Sequence, residues 1–418
     1  MNLKQITLII SLVGFLGFSF RDDNSELDFV EENLAYASKQ LEVLLRAANE
    51  VDTLYPRTLE KDGALKLTNR YEWTSGFFPG LLWYAYEGNH RNQVKQEAIQ
   101  WTNKLNDLQY FTDHHDLGFM LYCSYGNGYR LIGDEEYKKV LVQGATSLAT
   151  RFNVKTGSIQ SWNGFGSWDG QHRYKFPVII DNMMNLELLF FASKATGDPR
   201  YKQIALKHAK TVMKNQLRPD FSCYHIVCYD PENGAVLSKE TGQGYADNST
   251  WARGQAWGIY GFTMAYRETG DERFLKTANG MADFYLNHPN LPSDKVPYWD
   301  FNANQVGYTP GVKSKARRTP VNYRDVSAAA IAASAFLELS TLNHDQASVT
   351  KYREAASTIL HALASPAYRA QTGDNGGFLL MHSVGSIAHG VEIDVPLVYA
   401  DYYFLEALNR YRQILAKK

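Results

Sequence analysis

Apolar residues recur at helical spacing through most of the chain, in two kinds of segment that alternate. One kind is apolar nearly all round: 75–88 (SGFFPGLLWYAYEG), 116–133, 181–197, 250–270, 323–340 and 394–411. The other is amphipathic: 131–152, 195–216 and 268–289, with weaker copies at 86–105 and 342–363. A helix that is apolar on every side belongs inside a fold, and an amphipathic one belongs outside it. Three amphipathic segments start at the same corner: Gly133-Asp134, Gly197-Asp198 and Gly270-Asp271, with Tyr137, Tyr201 and Phe274 three residues past the Asp. Glycine suits the left-handed residue that ends one helix, and aspartate caps the next. Each Gly-Asp therefore predicts the tight corner of a helical hairpin.

With an N-terminal helix around 26–51 as the last partner, six apolar helices alternate with six amphipathic ones. This count predicts an all-α fold, an (α/α)6 barrel of two concentric rings in which the final apolar helix closes on the N-terminal one. A stacked helical solenoid is the alternative. Strand signals are sparse outside 220–230 (DFSCYHIVCYD). No linker rich in Pro, Gly or Ser divides the chain, so 22–418 is expected to form a single catalytic domain. At residues 1–21, Lys4 precedes the apolar run 6–20 and charge returns at Arg21, the pattern of a secretory signal peptide. The run is short for a membrane anchor, and no cysteine follows it for lipid attachment. Export, to a periplasm or beyond, is the expectation.

Composition narrows the chemistry. The 27 Tyr, 21 Phe and 8 Trp suit flat, partly apolar ligands such as sugar rings, although they also fill cores. A net charge of −1 gives no global field for nucleic acid or an acidic membrane, so an anionic ligand must be met by local cations. Three cysteines, Cys123, Cys223 and Cys228, make no disulfide framework, though the last two could pair. His114-His115 is the only adjacent histidine pair, HExxH is absent, and no metal is expected. No Gly-rich phosphate loop follows a strand, so no nucleotide, flavin or nicotinamide cofactor is expected.

If the inner helices run the same way, their starts share one rim. Those starts carry Asp116, Asp181, Arg253, Arg324, Asp325 and Asp394. The connections into them (153–180, 217–249, 289–322 and 364–393) are long and hold Trp162, Trp168, His172, His225, Trp299 and His382. Loops of that length in a compact fold usually build a site. Asp181 and Asn185 share a helix face, as do Arg253 and Trp257. A carboxyl group near other carboxylates and apolar rings keeps its proton to higher pH, which suits a general acid. An arginine fork suits a carboxylate ligand, and two carboxylates could also do ordinary glycosidase work. Plainer roles compete at every position. Asp181 and Asp116 could be helix caps and Arg253 a buried ion-pair partner. Trp73, Trp162, Trp257 and His225 could be core residues, and Lys313, Lys315, Arg317 and Arg318 a solvated loop.

Five stretches come in order: YEWTSGFFPG, HHDLGFMLY, DNMMNLELL, STWARGQAWGIYGF and VPYWDFN. From about residue 70 to about 405 the chain resembles the unsaturated glucuronyl hydrolases, glycoside hydrolase family 88. The resemblance implies an (α/α)6 barrel and a substrate released by polysaccharide lyases, with a 4,5-unsaturated uronic acid at its non-reducing end. It implies hydration of the vinyl ether: a protonated acid donates to C4, water adds at C5, and the hemiketal opens to free the leaving sugar. Asp181 matches the proton donor and Asp116 the second aspartate. His225, Gln243, Arg253 and Trp257 match residues that line the uronate subsite, and Trp73 and Trp162 match sugar-stacking residues. Ser383 and Ser386 lie in a stretch, 381–390, that varies among such proteins, and could meet the leaving sugar or a sulfate or be ordinary loop hydroxyls. Two rivals stand beside this reading. One is an unsaturated rhamnogalacturonyl hydrolase acting on pectin fragments. The other is an exported glycan-binding protein without turnover, which would not need both aspartates.

Overall fold

The computed structural model describes residues 23–417; the expected signal peptide, residues 1–21, lies outside them. The three Gly-Asp corners form as the sequence predicts. Gly133, Gly197 and Gly270 are left-handed, with φ of 67°, 75° and 65°. Asp134, Asp198 and Asp271 accept from the N–H groups of Glu136, Arg200 and Arg273. The weaker corners use other residues. His90 takes the left-handed conformation at one, and Asp345 caps the helix after the other through Ala347 and Ser348.

Twelve helices result among the described residues. They are α1 (Asp23–Asn49), α2 (Phe77–Asn89), α3 (Asn92–Asn103), α4 (π-helical Gly118–Gly126 running into Asn127–Ile132), α5 (Glu135–Ala149) and α6 (Asn182–Thr196). Next come α7 (Pro199–Asn215), α8 (Ala252–Thr269), α9 (Glu272–Asn287), α10 (Val326–Leu342), α11 (Gln346–Leu363) and α12 (Val398–Leu415). The inner ring runs α2, α4, α6, α8, α10, α12 and back to α2, each helix packed on the next. The helices α3, α5, α7, α9, α11 and α1 stand outside, and α1 covers α12. A solenoid would leave its two ends apart, so the ring is a closed (α/α)6 barrel. Burial follows the patterning: every residue from Ala252 to Tyr266 of α8 is buried, whereas α9 buries one stripe.

The short corners gather at one end and the long connections at the other. The connections also pair as short antiparallel strands. Phe176–Ile179, Ile226–Tyr229 and Val236–Glu240 make a three-stranded sheet with Ile179 opposite Ile226. Ser383–Ser386 pairs with Val391–Val395, and Tyr55–Leu59 with Leu65–Thr68. Only Ile226–Tyr229 falls where the sequence carried a strand signal. Val391–Val395 (VEIDV) and Leu65–Thr68 (LKLT) do alternate apolar and polar residues, whereas Phe176–Ile179, Val236–Glu240, Ser383–Ser386 and Tyr55–Leu59 show no such alternation. All three cysteines are buried and free, so Cys223 and Cys228 do not pair. Among the described residues no helix is long and apolar enough to cross a membrane.

The inner ring is tight enough to need glycine. A Cβ at Gly261 of α8 would lie 2.4 Å from Met183 Cβ on α6. Gly261→Ala should therefore lower the stability measured by urea unfolding by about 1–3 kcal/mol, the usual cost of overpacking a core. An unchanged midpoint would show that α6 and α8 have room to part.

Candidate active site

Asp181 sits between the strand Phe176–Ile179 and the first turn of α6. The sequence suggests that it caps this helix, and the structure corrects that. Its backbone is already helical (φ −56°, ψ −24°) and its side chain makes no cap bond. The first-turn donors are taken by main chain: Met183 N–H by Ile180 O and Met184 N–H by Asp181 O. The carboxyl is thus left free, with Oδ2 buried and without a hydrogen-bond partner among the described residues. Unpaired burial of that kind favours the neutral acid. Burial pushes the Asp181 pKa up to about 7; the charge of Arg253 opposes the rise and that of Asp116 adds to it.

Asp116 has the opposite surroundings. Its Oδ2 lies 3.0 Å from His114 Nδ1 and its Oδ1 3.3 Å from His115 Nε2. Burial again works to raise its pKa, but the imidazoles of His115 and His114 and the charge of Arg151 together pull it below the usual carboxylate value. The chain thus holds one carboxyl that keeps its proton beside one that sheds it. A ladder joins them. Asn185, one turn along α6 from Asp181, accepts from Phe119 N–H at the start of α4, and its Nδ2 is 3.5 Å from His115 Nδ1.

The strand register brings His225 to Asp181, because Ile180 N–H donates to His225 O. His225 Nδ1 accepts from the N–H groups of Gly242 and Gln243 at 3.0 and 3.1 Å. The ring proton must therefore sit on Nε2, which approaches Asp181 Oδ2 to 3.8 Å. Burial, together with the Arg253 charge, holds the His225 pKa well below its ordinary value, so the ring is neutral. It lies against Trp251 with centroids 4.4 Å apart.

A cavity of about 510 Å³ has Trp73, Trp162, Gln243, Arg253 and Ser386 in its wall. Asp181, Asp116 and His225 are not part of that wall but lie behind it, joined to it where Gln243 N–H donates to His225 and where the Trp162 ring stands 6.5 Å from the His225 ring. Arg253, at the start of α8, is 1 % exposed. It donates to Asp325 Oδ2 at 2.9 Å, Gln243 Oε1 at 2.8 Å and Gly385 O at 2.7 Å. Both readings of this arginine thus meet in one residue, since it is a buried ion-pair partner and a cation in the cavity wall. Trp257, one turn further on, is wholly buried against Phe119 and Tyr403 and lies outside the wall. Ser383 is also wholly buried and outside the wall. Ser386 Oγ pairs with His389 Nδ1 at 2.7 Å.

Of the six residues expected at the rim, Arg324 and Asp394 stand elsewhere. Arg324 pairs with Asp294, and Asp394 lies in the strand Val391–Val395, facing His382. The side chains of Lys313, Lys315, Arg317 and Arg318 are exposed, as a solvated loop should be. The cavity wall also contains Trp168, which the long connections pointed to, and Arg57, Arg173, His389, Glu392 and Tyr399, which the sequence did not single out. Arg57 bridges Glu72 and Glu392. It lies in a short strand without helical periodicity, so nothing in the pattern pointed to it.

A second cavity of about 460 Å³ opens at the short-corner end of the barrel. Arginines face its carboxylates, Arg130 on Glu87 and Arg267 on Glu187; its wall, like that of the first cavity, includes neither Asp181 nor Asp116, and it shares no wall residue with the first. Among the described residues no group of His, Cys, Asp and Glu is placed to hold a metal ion.

The chain matches the model of Glycosyl Hydrolase Family 88 over residues 46–403. It is 45% identical over 348 residues to an unsaturated glucuronyl hydrolase of Formosa agariphila, spanning 83% of this chain and 81% of that protein. It is 36% identical over 387 residues to an unsaturated chondroitin disaccharide hydrolase of Streptococcus agalactiae, spanning 91% of each. Among solved structures, an unsaturated glucuronyl hydrolase specific for heparin superposes with a TM-score of 0.83 at 46% identity, covering 93% of this chain and 98% of that one.

The raised pKa of Asp181 has a consequence for stability. Between the ordinary value of 3.8 and about 7 the folded chain holds a proton that the unfolded chain has shed. Stability contributed at this site is therefore full below that window and falls as pH rises through it. Asp181→Asn should be more stable than the wild type above neutrality, by about 1–4 kcal/mol at 1.36 kcal/mol per pKa unit, with the gain shrinking towards acid. A difference that does not vary with pH would show that this carboxyl does not titrate there.

Proposed function

The chain belongs to glycosyl hydrolase family 88, and we propose that it removes the 4,5-unsaturated uronic acid from the non-reducing end of lyase-generated glycosaminoglycan oligosaccharides by hydrating the vinyl ether. The observation that carries this reading is the unequal carboxyl pair: a buried Asp181 whose Oδ2 has no hydrogen-bond partner among the described residues, beside an Asp116 contacted by two imidazoles. Vinyl-ether hydration needs a neutral acid and a nearby negative charge. Asp181 gives its proton to C4, and the C4–C5 double bond supplies the electron pair. Positive charge then develops at C5 and the ring oxygen, where ionised Asp116 stabilises it. Water adds at C5 and gives its proton to the Asp181 carboxylate, restoring the acid. The hemiketal at C5 opens to a ketone by breaking its bond to the ring oxygen, which takes the hydroxyl proton. C1 is then a hemiacetal and collapses to an aldehyde as the glycosidic oxygen leaves with that proton as the hydroxyl of the freed sugar.

Arg253 and Gln243 supply a cation and an amide in the wall for the uronate, and Trp73 and Trp162 supply faces for sugar rings. The names of the relatives point to heparin- and chondroitin-type fragments, which favours the glucuronyl reading over the pectin-derived one. Export is part of the proposal and rests on the N-terminal pattern of residues 1–21.

Incubation with unsaturated disaccharides from chondroitin, hyaluronan, heparin and rhamnogalacturonan should bleach the ultraviolet absorbance of the glycosaminoglycan products. Loss confined to the pectin product would promote the rival enzyme, and binding without loss on any of them would favour a non-catalytic glycan-binding protein. Asp181→Asn should lower turnover by about 10²–10⁴-fold, the usual contribution of a general acid, while substrate still binds. A normal rate would remove Asp181 from the reaction.

A further inference from the structure

Asp116 must stay ionised beside an acid that does not, and His115, whose charge does most to lower the Asp116 pKa, carries that charge only in acid. His115 is wholly buried, and burial pushes its pKa down to about 4, so near neutral pH it is uncharged. His114 stands differently. Its Nδ1 is 3.0 Å from Asp116 Oδ2 and its Nε2 is 3.1 Å from Tyr71 O. An oxygen acceptor thus lies at each ring nitrogen, and only the doubly protonated imidazolium can donate to both. In the neutral ring Nδ1 can accept from Asp116 N–H, at 3.2 Å, but the carboxylate oxygen then faces a lone pair.

The ring is held in place. Phe111 packs edge-on to it with centroids 4.6 Å apart, and Tyr71 lies against Phe111. The charged and titratable groups that face the His114–Asp116 pair are His115, Arg151 and, on the far side of Asp116, Asp181, with Asp113 acting on Arg151. Arg151 is already committed to Gln160 O, Thr112 O and Asn163 Oδ1.

We propose that His114 is a positioning residue of the carboxyl pair: as an imidazolium it clamps Asp116 in the ionised form, so that Asp181 alone carries the proton to be donated, a role that rests on the function proposed above. His114 touches no reacting atom and acts only through Asp116. Burial works against its charge, but the hydrogen bond and charge of Asp116 outweigh it and raise the His114 pKa above the ordinary histidine value.

The test joins histidine-ring NMR of the full chain to pH-dependent kinetics. The His114 signal is assigned by its loss in His114→Gln. It should titrate above the ordinary histidine range in the wild type and fall by about one pH unit or more in Asp116→Asn, as an opposite charge at this distance requires. In His114→Gln the acid limb of kcat/KM should move up by about one unit, and kcat should fall by about tenfold with KM changed less. A His114 titration unmoved by Asp116→Asn, or an unmoved acid limb in His114→Gln, would overturn the proposal. If the wild type turns over no unsaturated uronide, the proposed function fails instead, and the NMR titration still decides whether His114 clamps Asp116.

Discussion

A carboxyl group sealed from water without a partner cannot easily ionise, and the rest of the site is arranged around that penalty. Asp181 has lost the hydrogen bonds that an aspartate at a helix start normally makes, because the first-turn N–H groups of α6 are already satisfied by main-chain carbonyls. It faces a histidine whose only proton lies on the nitrogen nearest it. The neighbouring Asp116 receives the opposite treatment, with imidazoles at both of its oxygens. Two residues of one type thus acquire two roles from their surroundings alone.

Such an arrangement opposes folding locally and persists only where surrounding structure over-determines it. The barrel does so. The acids arrive on adjacent inner helices whose separation is fixed by glycine contacts: a Cβ at Gly118 would lie 2.5 Å from Asn185 Cα. Asn185 and His115 then tie the two helix starts together. The π-helical first half of α4 begins two residues after Asp116, a distortion of the kind often found at functional sites. Arg253 links α8 to α10 through Asp325 and to the strand Ser383–Ser386 through Val384 and Gly385. Its charge is thereby immobilised beside Asp181, where it limits how far the pKa rises.

Much of this was legible in the chain because it is local chemistry. Gly-Asp corners state where one helix stops and the next begins, and the alternation of apolar and amphipathic helices states which ring each belongs to. Closure followed from order alone. The resemblance to family 88, matched over residues 46–403, picked out Asp116 and Asp181. What the sequence hid is decided by partners far along the chain. Nothing near Asp181 tells whether its side chain caps the helix or stays free. A spacing of four puts Trp257 on the face of Arg253, but Phe119 and Tyr403 cover it one turn down. Phe176–Ile179 and Val236–Glu240 carry no alternation, so the sheet that delivers His225 was only half visible. Nor does the strand of Arg57, whereas Glu392 sits in VEIDV, whose alternation marks a strand but not a place in the cavity wall.

The central claim is that, of the two aspartates, Asp181 holds the proton. Infrared difference spectra of the wild type against Asp181→Asn and against Asp116→Asn, recorded across a pH titration, read the protonation of each carboxyl directly. The account predicts a protonated-carboxyl band belonging to Asp181 that persists until about pH 7, with Asp116 ionised throughout. A band belonging to Asp116 instead, or an Asp181 already ionised near the ordinary aspartate value of about 4, would contradict it.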